Sequence, residues 1–301
     1  MDLEQIVNKA TQNEKVTVAV AVAEDIEVLE AVSLANDRKL AKFILFGDSN
    51  QIHLLLKKHA PHLLELDDII IKHEDSPVEA CTKAVMAVKN HEASVLMKGN
   101  VATSTILKEV LNRDYGLRTG NVLSHIAVFE VPRYERLILI TDAAMNITPN
   151  LDQKQQIVQN AVQLAHAIGI GNPKVAALAA VEVVNPSMQA TLDAAALRER
   201  NKNGSISGCR IEGPLALDIA VSKEAAIHKG IENDVAGAAD ILLVPNIETG
   251  NALYKSLIYF ANAQVSAMIA GAAAPIVLTS RSDSAISKLY SLALAICSTK
   301  K

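Results

Sequence analysis

The residues with the clearest capacity for chemistry are Ser280 and Arg281, which lie inside the stretch IVLTSRSDSAISKL, residues 276–289. The apolar and β-branched residues before them predict a buried strand, and the polar residues at 282–284 predict the opening of a helix. An arginine between a strand and a helix lies in the crevice where open α/β sheets bind ligands. Both the guanidinium and the helix N-terminus favour an anion there. The pattern therefore predicts a site for phosphate or a phosphoryl group.

A second stretch, LMKGNVATSTILKEVL at 96–111, repeats this arrangement. A predicted strand ends near Lys98, the chain turns through Gly99 and Asn100, and Thr103 lies at or near the start of the next helix. Glycine allows backbone N–H groups to approach an anion, and lysine supplies positive charge. The same residues also fit an ordinary βα turn followed by a capped helix, because such turns are common.

Two other polar stretches add candidate ligand contacts. The stretch GLRTGNVLSH holds Arg118, Thr119 and Asn121 just before a predicted strand, although an arginine there also fits a solvated surface position. The stretch RIEGPLALD at 210–218 is interpreted as a turn around its Gly-Pro pair. Neither stretch is specific by itself.

The stretch ILLVPNIETGNALYKSL at 241–257 leaves a predicted strand and enters a predicted helix. Its turn supplies Asn246, Thr249, Gly250 and Asn251 as candidate binding residues. Several strand-ending turns rich in Gly, Thr and Asn, with Arg or Lys nearby, are what a ligand cleft requires.

The elements that must position these residues alternate between short β-branched runs and longer helical patterns. Helical periodicity is clearest in DIEVLEAVSLANDRKLA and in LDQKQQIVQNAVQLAHAIGI, where Gly169 is the predicted C-terminal cap. Such alternation predicts an α/β fold with a mainly parallel sheet. The predicted strands are 16–22, 43–46, 94–97, 126–131, 137–141, 175–181, 241–244 and 276–279.

Two predicted crossings divide the chain into two α/β domains. The segment EVPRYER, with its turn at Pro132, predicts a hairpin or a crossing point, and a second crossing is predicted near 272. The first domain is then discontinuous, with residues 1–131 plus 272–301, and the second domain comprises 132–271.

Composition narrows the function class. The 301 residues are 50% hydrophobic with a net charge of −4, and aromatic residues make up 3% without any Trp. These values argue against nucleic acid or a membrane surface as a partner. Cys81, Cys209 and Cys297 are widely spaced, so we expect no metal site and no disulfide framework. A polar N-terminus without a signal pattern fits a cytoplasmic protein.

Several stretches together resemble the phosphate acetyl/butyryltransferases, and the first and fourth resemble the butyryl branch most. They are VAVAEDIEVLEAV, MKGNVATSTILKEVL, TGNVLSHIAVFEVP, ITDAAMNITPNLDQK, IEGPLALD, VAGAADILLVPNIETGNALYK and APIVLTSRSDS. The resemblance runs from about residue 16 to about residue 297. It implies two α/β/α domains with a cleft between them, in an isocitrate-dehydrogenase-like architecture that forms a homodimer or a higher homo-oligomer.

The resemblance also implies the reaction, which is reversible transfer of a short acyl group between coenzyme A and inorganic phosphate. The expected partners are butyryl-CoA or a related short acyl-CoA, inorganic phosphate and acyl phosphate. Coenzyme A is then a substrate, and no tightly bound cofactor is expected. By the same resemblance, the polar residues at 98–103, 118–121 and 246–251 line the cleft.

The resemblance places the catalytic Ser-Arg pair at Ser280 and Arg281. A guanidinium holds two phosphate oxygens at once, and the serine hydroxyl can donate to the reacting thiol or carbonyl. A direct ternary-complex transfer without an acyl-enzyme is expected, with Ser280 as a covalent nucleophile the alternative. Acetyl-transferring members carry an Asp seven residues after the Ser, where this chain has Ser287. Asp283 is the nearest carboxylate to accept the thiol proton, and it also fits a role in stabilising the first helical turn.

A second departure from the acetyl-transferring members concerns the acyl chain. Those members have an Arg in the helix after Lys255, at the position of Tyr259 here, which predicts a preference for a chain longer than acetyl. Added methylenes supply only about 1–3 kcal/mol of discrimination, so overlap among short acyl groups is expected. Phosphate acetyltransfer, a metal- and nicotinamide-dependent dehydrogenase of similar architecture, and a non-catalytic acyl-CoA-binding protein are the alternatives.

Overall fold

The computed structural model describes residues 1–279 and 283–299, and the chain divides into two compact units. The first unit comprises Leu3–Asn121 and Ser266–Lys301, and the second comprises Met1–Asp2 and Val122–Val265. After its first two residues, the chain passes between units at 121/122 and 265/266, whereas the sequence placed the crossings at 131/132 and 271/272.

The first unit is a sheet flanked by helices. Its strands follow the order β3-β2-β1-β4-β11-β10, all neighbours being parallel except β10 and β11. Its elements are α1 (Leu3–Thr11), β1 (Val16–Ala21), α2 (Ile26–Asp37), β2 (Ala41–Gly47), α3 (Ser49–His59), a 3₁₀ helix (Pro61–Glu65), β3 (Ile69–His73), α4 (Pro77–Lys89), β4 (Val95–Lys98), α5 (Thr103–Val110), β10 (Gln264–Ala270, in this unit from Ser266 onward), β11 (Ile276–Val277) and α11 (Ala285–Cys297).

The second unit has the same construction. Its strands follow the order β5-β6-β9-β7-β8, with β5 antiparallel to β6 and the other pairs parallel. Its elements are β5 (Ser124–Glu130), β6 (Ile138–Thr141), α6 (Leu151–Ile168), β7 (Lys174–Leu178), α7 (Gln189–Lys202), β8 (Arg210–Leu215), α8 (Leu217–Val221), α9 (Lys223–His228), β9 (Ile241–Leu243) and α10 (Ile247–Tyr259).

Helix starts in both units follow local side-chain chemistry. Asp25, Asp48 and Ser76 accept hydrogen bonds from the first turns of α2, α3 and α4, and Asn150 opens α6 with a reciprocal capping box. Gly169 ends α6 in the left-handed conformation, as its type and position predict. The α/β fold class with mainly parallel strands is confirmed.

All eight predicted strands are present with shifted bounds, and three further strands were missed. β3 and β10 were left unassigned, and the interpretation of 210–218 as a turn was wrong, since β8 occupies most of it. Pro214 lies inside β8, which is tolerated because β8 is the last strand in the sheet order and proline lacks the N–H that a central strand needs. The hairpin predicted around Pro132 is confirmed by the antiparallel pairing of β5 with β6.

No helix within residues 1–279 and 283–299 is long and apolar enough to span a bilayer.

Candidate active site

Three neighbouring parallel strands of the first unit end at one edge of its sheet. β4 pairs in parallel with β1 on one side and with β11 on the other. The segments that follow these strands therefore leave the sheet side by side, at the carboxyl-terminal edge where α/β sheets bind ligands. Lys98 lies at this edge, and the chain after Val277 leaves β11 there.

The catalytic pair proposed from the sequence follows β11. Ser280 and Arg281, together with Ser282, lie outside the described residues. Thr279, immediately before them, is buried, and its hydroxyl has no hydrogen-bond partner among the described residues. The described chain resumes at Asp283.

Lys98 places a positive charge beneath this edge. It is the last residue of β4, and only 4% of its surface is exposed. Its ammonium group donates to the carbonyl oxygens of Gly99 at 3.1 Å and of Val101 at 3.2 Å. A buried cation is tolerated only when its donors are used, so these carbonyls fix the charge under the loop that leads to α5.

Gly99 serves the close approach of two strand ends. Its N–H donates to Ala21 O at 2.8 Å, and the next N–H, of Asn100, donates to Val22 O at 2.7 Å. A Cβ at Gly99 would lie 2.0 Å from Val22 O. The expectation that the glycine frees these N–H groups for an anion was therefore wrong, because the end of β1 already occupies them.

Val22 is held in an uncommon backbone conformation at the same edge. Its φ of 58° lies in the left-handed region, where a β-branched residue is a clear outlier. Two backbone hydrogen bonds hold the chain at this point. Asn100 N donates to Val22 O, and Ala23 N, the next N–H along the chain, donates to Phe46 O at 3.0 Å. Strain of this kind persists only where neighbouring structure imposes it, which is typical of functional sites.

The start of α5 offers unoccupied donors. The helix begins at Thr103, as predicted, and its N-cap residue Ala102 supplies no side-chain hydrogen bond. In the described part of the chain, neither Thr103 N nor Ser104 N has an acceptor, and both residues are exposed. Free N–H groups at a helix start, with the helix dipole behind them, are an anion-binding arrangement.

The start of α11 is occupied instead. Ser284 caps the helix by accepting from Ser287 N at 3.3 Å, and the carboxylate of Glu27 accepts from Ala285 N at 2.9 Å. Two N–H groups at the start of α11 are thus taken by a carboxylate and a serine, and the negative carboxylate opposes the expectation that this start would favour a bound anion. Asp283 precedes the cap residue and does not itself supply the cap.

The loop with Arg118, Thr119 and Asn121 is anchored elsewhere in the first unit. Thr119 donates to Gly271 O at 2.6 Å, and Gly271 follows β10, which runs antiparallel to β11. Thr119 therefore lies on the amino-terminal side of β11, whereas Lys98 lies at the carboxyl-terminal edge. Arg118 and Asn121 are exposed.

In the second unit, Asn246 and Thr249 form the start of α10. Asn246 Oδ1 accepts from Thr249 N at 3.0 Å and from Thr249 Oγ1 at 2.7 Å, so this pair caps the helix. A Cβ at Gly250 would lie 2.6 Å from Asp142 O, so the glycine lets α10 approach the end of β6. Asn251 is exposed. These residues follow β9, which is parallel to β6.

Comparison with known proteins fixes the family. The family described as "Phosphate acetyl/butaryl transferase" matches residues 2–296. The chain belongs to this family. It is 56% identical to a probable phosphate butyryltransferase of Bacillus subtilis over 301 residues, covering 100% of this chain and 99% of that protein. It is 49% identical to the phosphate butyryltransferase of Clostridium acetobutylicum, covering 97% of this chain and 96% of the relative.

A solved structure agrees with this assignment. The branched-chain phosphotransacylase of Enterococcus faecalis V583 is similar with a TM-score of 0.82 and 35% identity, covering 94% of this chain and 98% of that one. The family predicted from the sequence motifs is confirmed. The protein is a phosphate acyltransferase, an enzyme for which coenzyme A is a substrate.

A polar network that sequence reasoning missed lies near Lys98 in this acyltransferase. The buried Glu109 of α5 accepts from Thr82 Oγ1 at 3.0 Å and from the hydroxyl of Tyr115. Hydrogen bonding to that carboxylate raises the pKa of Tyr115. Burial, and secondarily the Glu109 charge, raises the pKa of the Cys81 thiol to about 12, while the Lys98 charge opposes the shift. Cys81 is therefore a neutral thiol at physiological pH and not a nucleophile.

A buried ion pair in the second unit was also missed. Lys154 of α6 donates to Asp193 Oδ2 of α7 at 2.6 Å, and Gln189 donates to the other carboxylate oxygen at 2.8 Å. Both charged residues are buried and line a small cavity beside Pro245. No short-range pattern in the sequence links positions on separate helices.

Within residues 1–279 and 283–299, no group of three or more His, Cys, Asp or Glu is arranged to hold a metal ion.

Proposed function

We propose that this acyltransferase prefers the butyryl group and interconverts butyryl-CoA and inorganic phosphate with butyryl phosphate and CoA. The observation that supports the preference most is the identity to two butyryltransferases along almost the whole chain. Tyr259, which stands where acetyl-transferring members have an arginine, points the same way. Acetyl transfer is the alternative within the family.

We place the phosphate at the carboxyl-terminal edge of the first unit. The N–H groups of Thr103 and Ser104, which have no acceptor among the described residues, and the buried ammonium of Lys98 supply positive potential at that edge. Arg281, from the neighbouring strand exit, is proposed to hold two phosphate oxygens. The occupied start of α11 supports α5 as the helix that faces the anion.

The proposed chemistry is a direct transfer within a ternary complex. A phosphate oxygen attacks the thioester carbonyl carbon, the C–O bond forms, and the C–S bond then breaks to release the CoA thiolate. Ser280 donates a hydrogen bond to the carbonyl oxygen or to the departing sulfur, which stabilises the charge that develops there. In the reverse direction Asp283 is the proposed acceptor of the CoA thiol proton.

The remaining proposed ligand contacts supply binding rather than bond making. Gly99 and Asn100 shape the strand exit beside Lys98. Arg118 and Asn121 in the first unit, and Asn251 in the second, are exposed and are each proposed as a substrate-binding residue. Thr119, Asn246, Thr249 and Gly250 hold the backbone of their loops in place.

We further propose that the enzyme is a cytoplasmic homo-oligomer. Its three cysteines are free thiols, which fits a reducing compartment. Tyr259 and Phe260, at the end of α10, are 73% and 89% exposed, and neighbouring exposed aromatic residues are typical of a surface that another chain covers.

The test is release of CoA thiol from butyryl-CoA and from acetyl-CoA, with and without phosphate, by wild type and by Arg281→Ala. We expect release that requires phosphate, is faster for butyryl-CoA and collapses in the variant. Faster release from acetyl-CoA would overturn the acyl preference. Phosphate-dependent release that survives in Arg281→Ala would overturn the assignment of the phosphate ligand.

A further inference from the structure

A buried ion pair joins the starts of two helices in the second unit. Lys154 lies in the first turn of α6, and Asp193 lies near the start of α7. Their ammonium nitrogen and carboxylate oxygen are 2.6 Å apart, and only 4% and 7% of the two residues is exposed. The two helices are therefore tied together by a charge-assisted hydrogen bond away from water.

This ion pair lies against the turn that leaves β9. In the sheet order β9 lies between β6 and β7, and it runs parallel to both. Because α6 follows β6 and α7 follows β7, both helices start at the carboxyl-terminal edge, one on each side of the exit of β9. Val244 and Pro245, the first residues after β9, line one small cavity together with Lys154 and Asp193.

On the side of β6, the same turn is held by its backbone. Ile247 N donates at 3.0 Å to Ile147 O, in the segment that follows β6. Gly250 packs against the same segment, since a Cβ there would lie 2.6 Å from Asp142 O. On the side of β7, the turn borders the cavity, whose lining is apolar apart from the ion pair. The position of the turn on that side is therefore set by what the ion pair holds apart.

Stability alone does not account for charged residues at this place. A buried ion pair gains little net stability, because removing two charges from water costs about as much free energy as their attraction returns. It differs from an apolar contact in having a fixed length and direction. Gln189 adds to that direction by donating to the second oxygen of Asp193 at 2.8 Å. The pair thus fixes the separation of α6 and α7 beside the turn.

We propose that Lys154 and Asp193 are a positioning pair for the binding of acyl-CoA, an inference that rests on the proposed function, in which Asn251 contacts a substrate. Asn251 lies on α10, six residues after Pro245, so a shift of the turn shifts its side chain. The proposed phosphate ligands belong to the first unit, which leaves acyl-CoA as the substrate for this turn. Misplacement of about 1 Å lowers rates by up to about a hundredfold.

The experiment measures kcat, KM for butyryl-CoA, KM for phosphate and the urea midpoint of unfolding. The main variant is Lys154→Met/Asp193→Leu, which replaces both charges and leaves neither buried alone. Gln189 is exposed, so its amide then bonds to water. We expect a urea midpoint close to that of wild type, and kcat/KM for butyryl-CoA lower by about tenfold or more. We expect KM for phosphate to stay within about threefold of wild type.

Two further variants complete the comparison. Asn251→Ala should raise KM for butyryl-CoA and leave KM for phosphate unchanged, as contact with acyl-CoA requires. Lys229→Met is the matched control, because it breaks a more exposed ion pair of the second unit, with Glu182 at 2.9 Å, and it should match wild type. If the double variant does not fold, Asp193→Asn, which keeps the size of the side chain without its charge, is compared in its place.

Distinct results separate this inference from its premises. A wild-type KM for butyryl-CoA in the folded double variant, or in Asp193→Asn where that variant replaces it, overturns the positioning role. An equal rise of both KM values overturns it in favour of a general loosening of the unit. A wild-type KM for butyryl-CoA in Asn251→Ala overturns the assignment of the turn to acyl-CoA, and the inference with it. Absence of phosphate-dependent thiol release in wild type defeats the proposed function itself.

Discussion

Replacing Gly99 by alanine tests whether the exits of β1 and β4 are locked together as the structure shows. The added Cβ would lie 2.0 Å from Val22 O and 2.8 Å from Ala21 O, where ordinary contacts begin at 3.4 Å. Both obstacles are backbone atoms at the end of a buried strand, so no side-chain rotation relieves the clash. The two strand exits must separate by roughly 1 Å.

The magnitude follows from the contacts that this separation disrupts. Overpacking with a backbone shift costs about 1–3 kcal/mol. The hydrogen bonds from Gly99 N and Asn100 N to the end of β1 contribute about 1 kcal/mol each. The expected loss of unfolding free energy is therefore about 3–5 kcal/mol, which lowers Tm by about 10 °C. Activity falls as well, because Gly99 O accepts a hydrogen bond from the Lys98 ammonium.

Thermal unfolding and phosphate-dependent thiol release measure the two effects. Gly171→Ala is the matched control, because a Cβ there meets no atom within 4 Å and the residue lacks a positive φ. We expect the control to match wild type in both assays. A Gly99→Ala enzyme whose Tm lies within about 2 °C of the control would refute the strand-exit geometry.

Three further perturbations follow from the buried charges and the buried thiol. Lys98→Met should lower kcat/KM by about a hundredfold or more through loss of positive charge at the proposed phosphate site, whereas the exposed Lys108→Met should match wild type in the same assay. Lys154→Met should lower the unfolding free energy in urea by about 3–5 kcal/mol because it leaves the buried Asp193 carboxylate without its positively charged partner, and adding Asp193→Leu should restore most of that loss. In the unfolded chain the Cys81 thiol has a pKa near its ordinary value of 9.0, and burial in the folded protein raises that pKa to about 12. The neutral thiol therefore contributes to the unfolding free energy below pH 9, and this contribution is lost as the pH rises toward 12. The difference in unfolding free energy between wild type and Cys81→Ala, measured across this range, should shrink as the pH rises, and a constant difference would contradict the shift.

The strands and helix ends that were predicted correctly are those marked by a pattern within a few consecutive residues. The buried strands carry unbroken β-branched runs, and Gly169 marks the end of α6 by its conformational freedom. β3 carries such a run in its isoleucines at 69–71 and was nevertheless missed. β3 is an edge strand without a fully buried residue, so its face is mixed, and β8 contains the Gly-Pro pair that usually marks a turn.

The places of two candidate residues in the fold were predicted from the pattern around them, since Lys98 ends a strand and Thr103 begins a helix. Their roles in binding stay predictions, and contacts between distant segments have no local signal in the sequence. The bond from Ala285 to Glu27 joins distant segments, and only the parallel order of β1, β4 and β11 brings them to one edge. The donors of Gly99 and Asn100 were misassigned because the sequence does not reveal how closely β1 approaches them.

Transfer of the acyl group to phosphate is observed most directly by ³¹P NMR while the enzyme acts on butyryl-CoA and inorganic phosphate. We expect a new acyl phosphate resonance that grows in equal amount with free CoA thiol and is lost in Arg281→Ala. Free CoA that accumulates without acyl phosphate would show hydrolysis rather than transfer and would refute the proposed reaction.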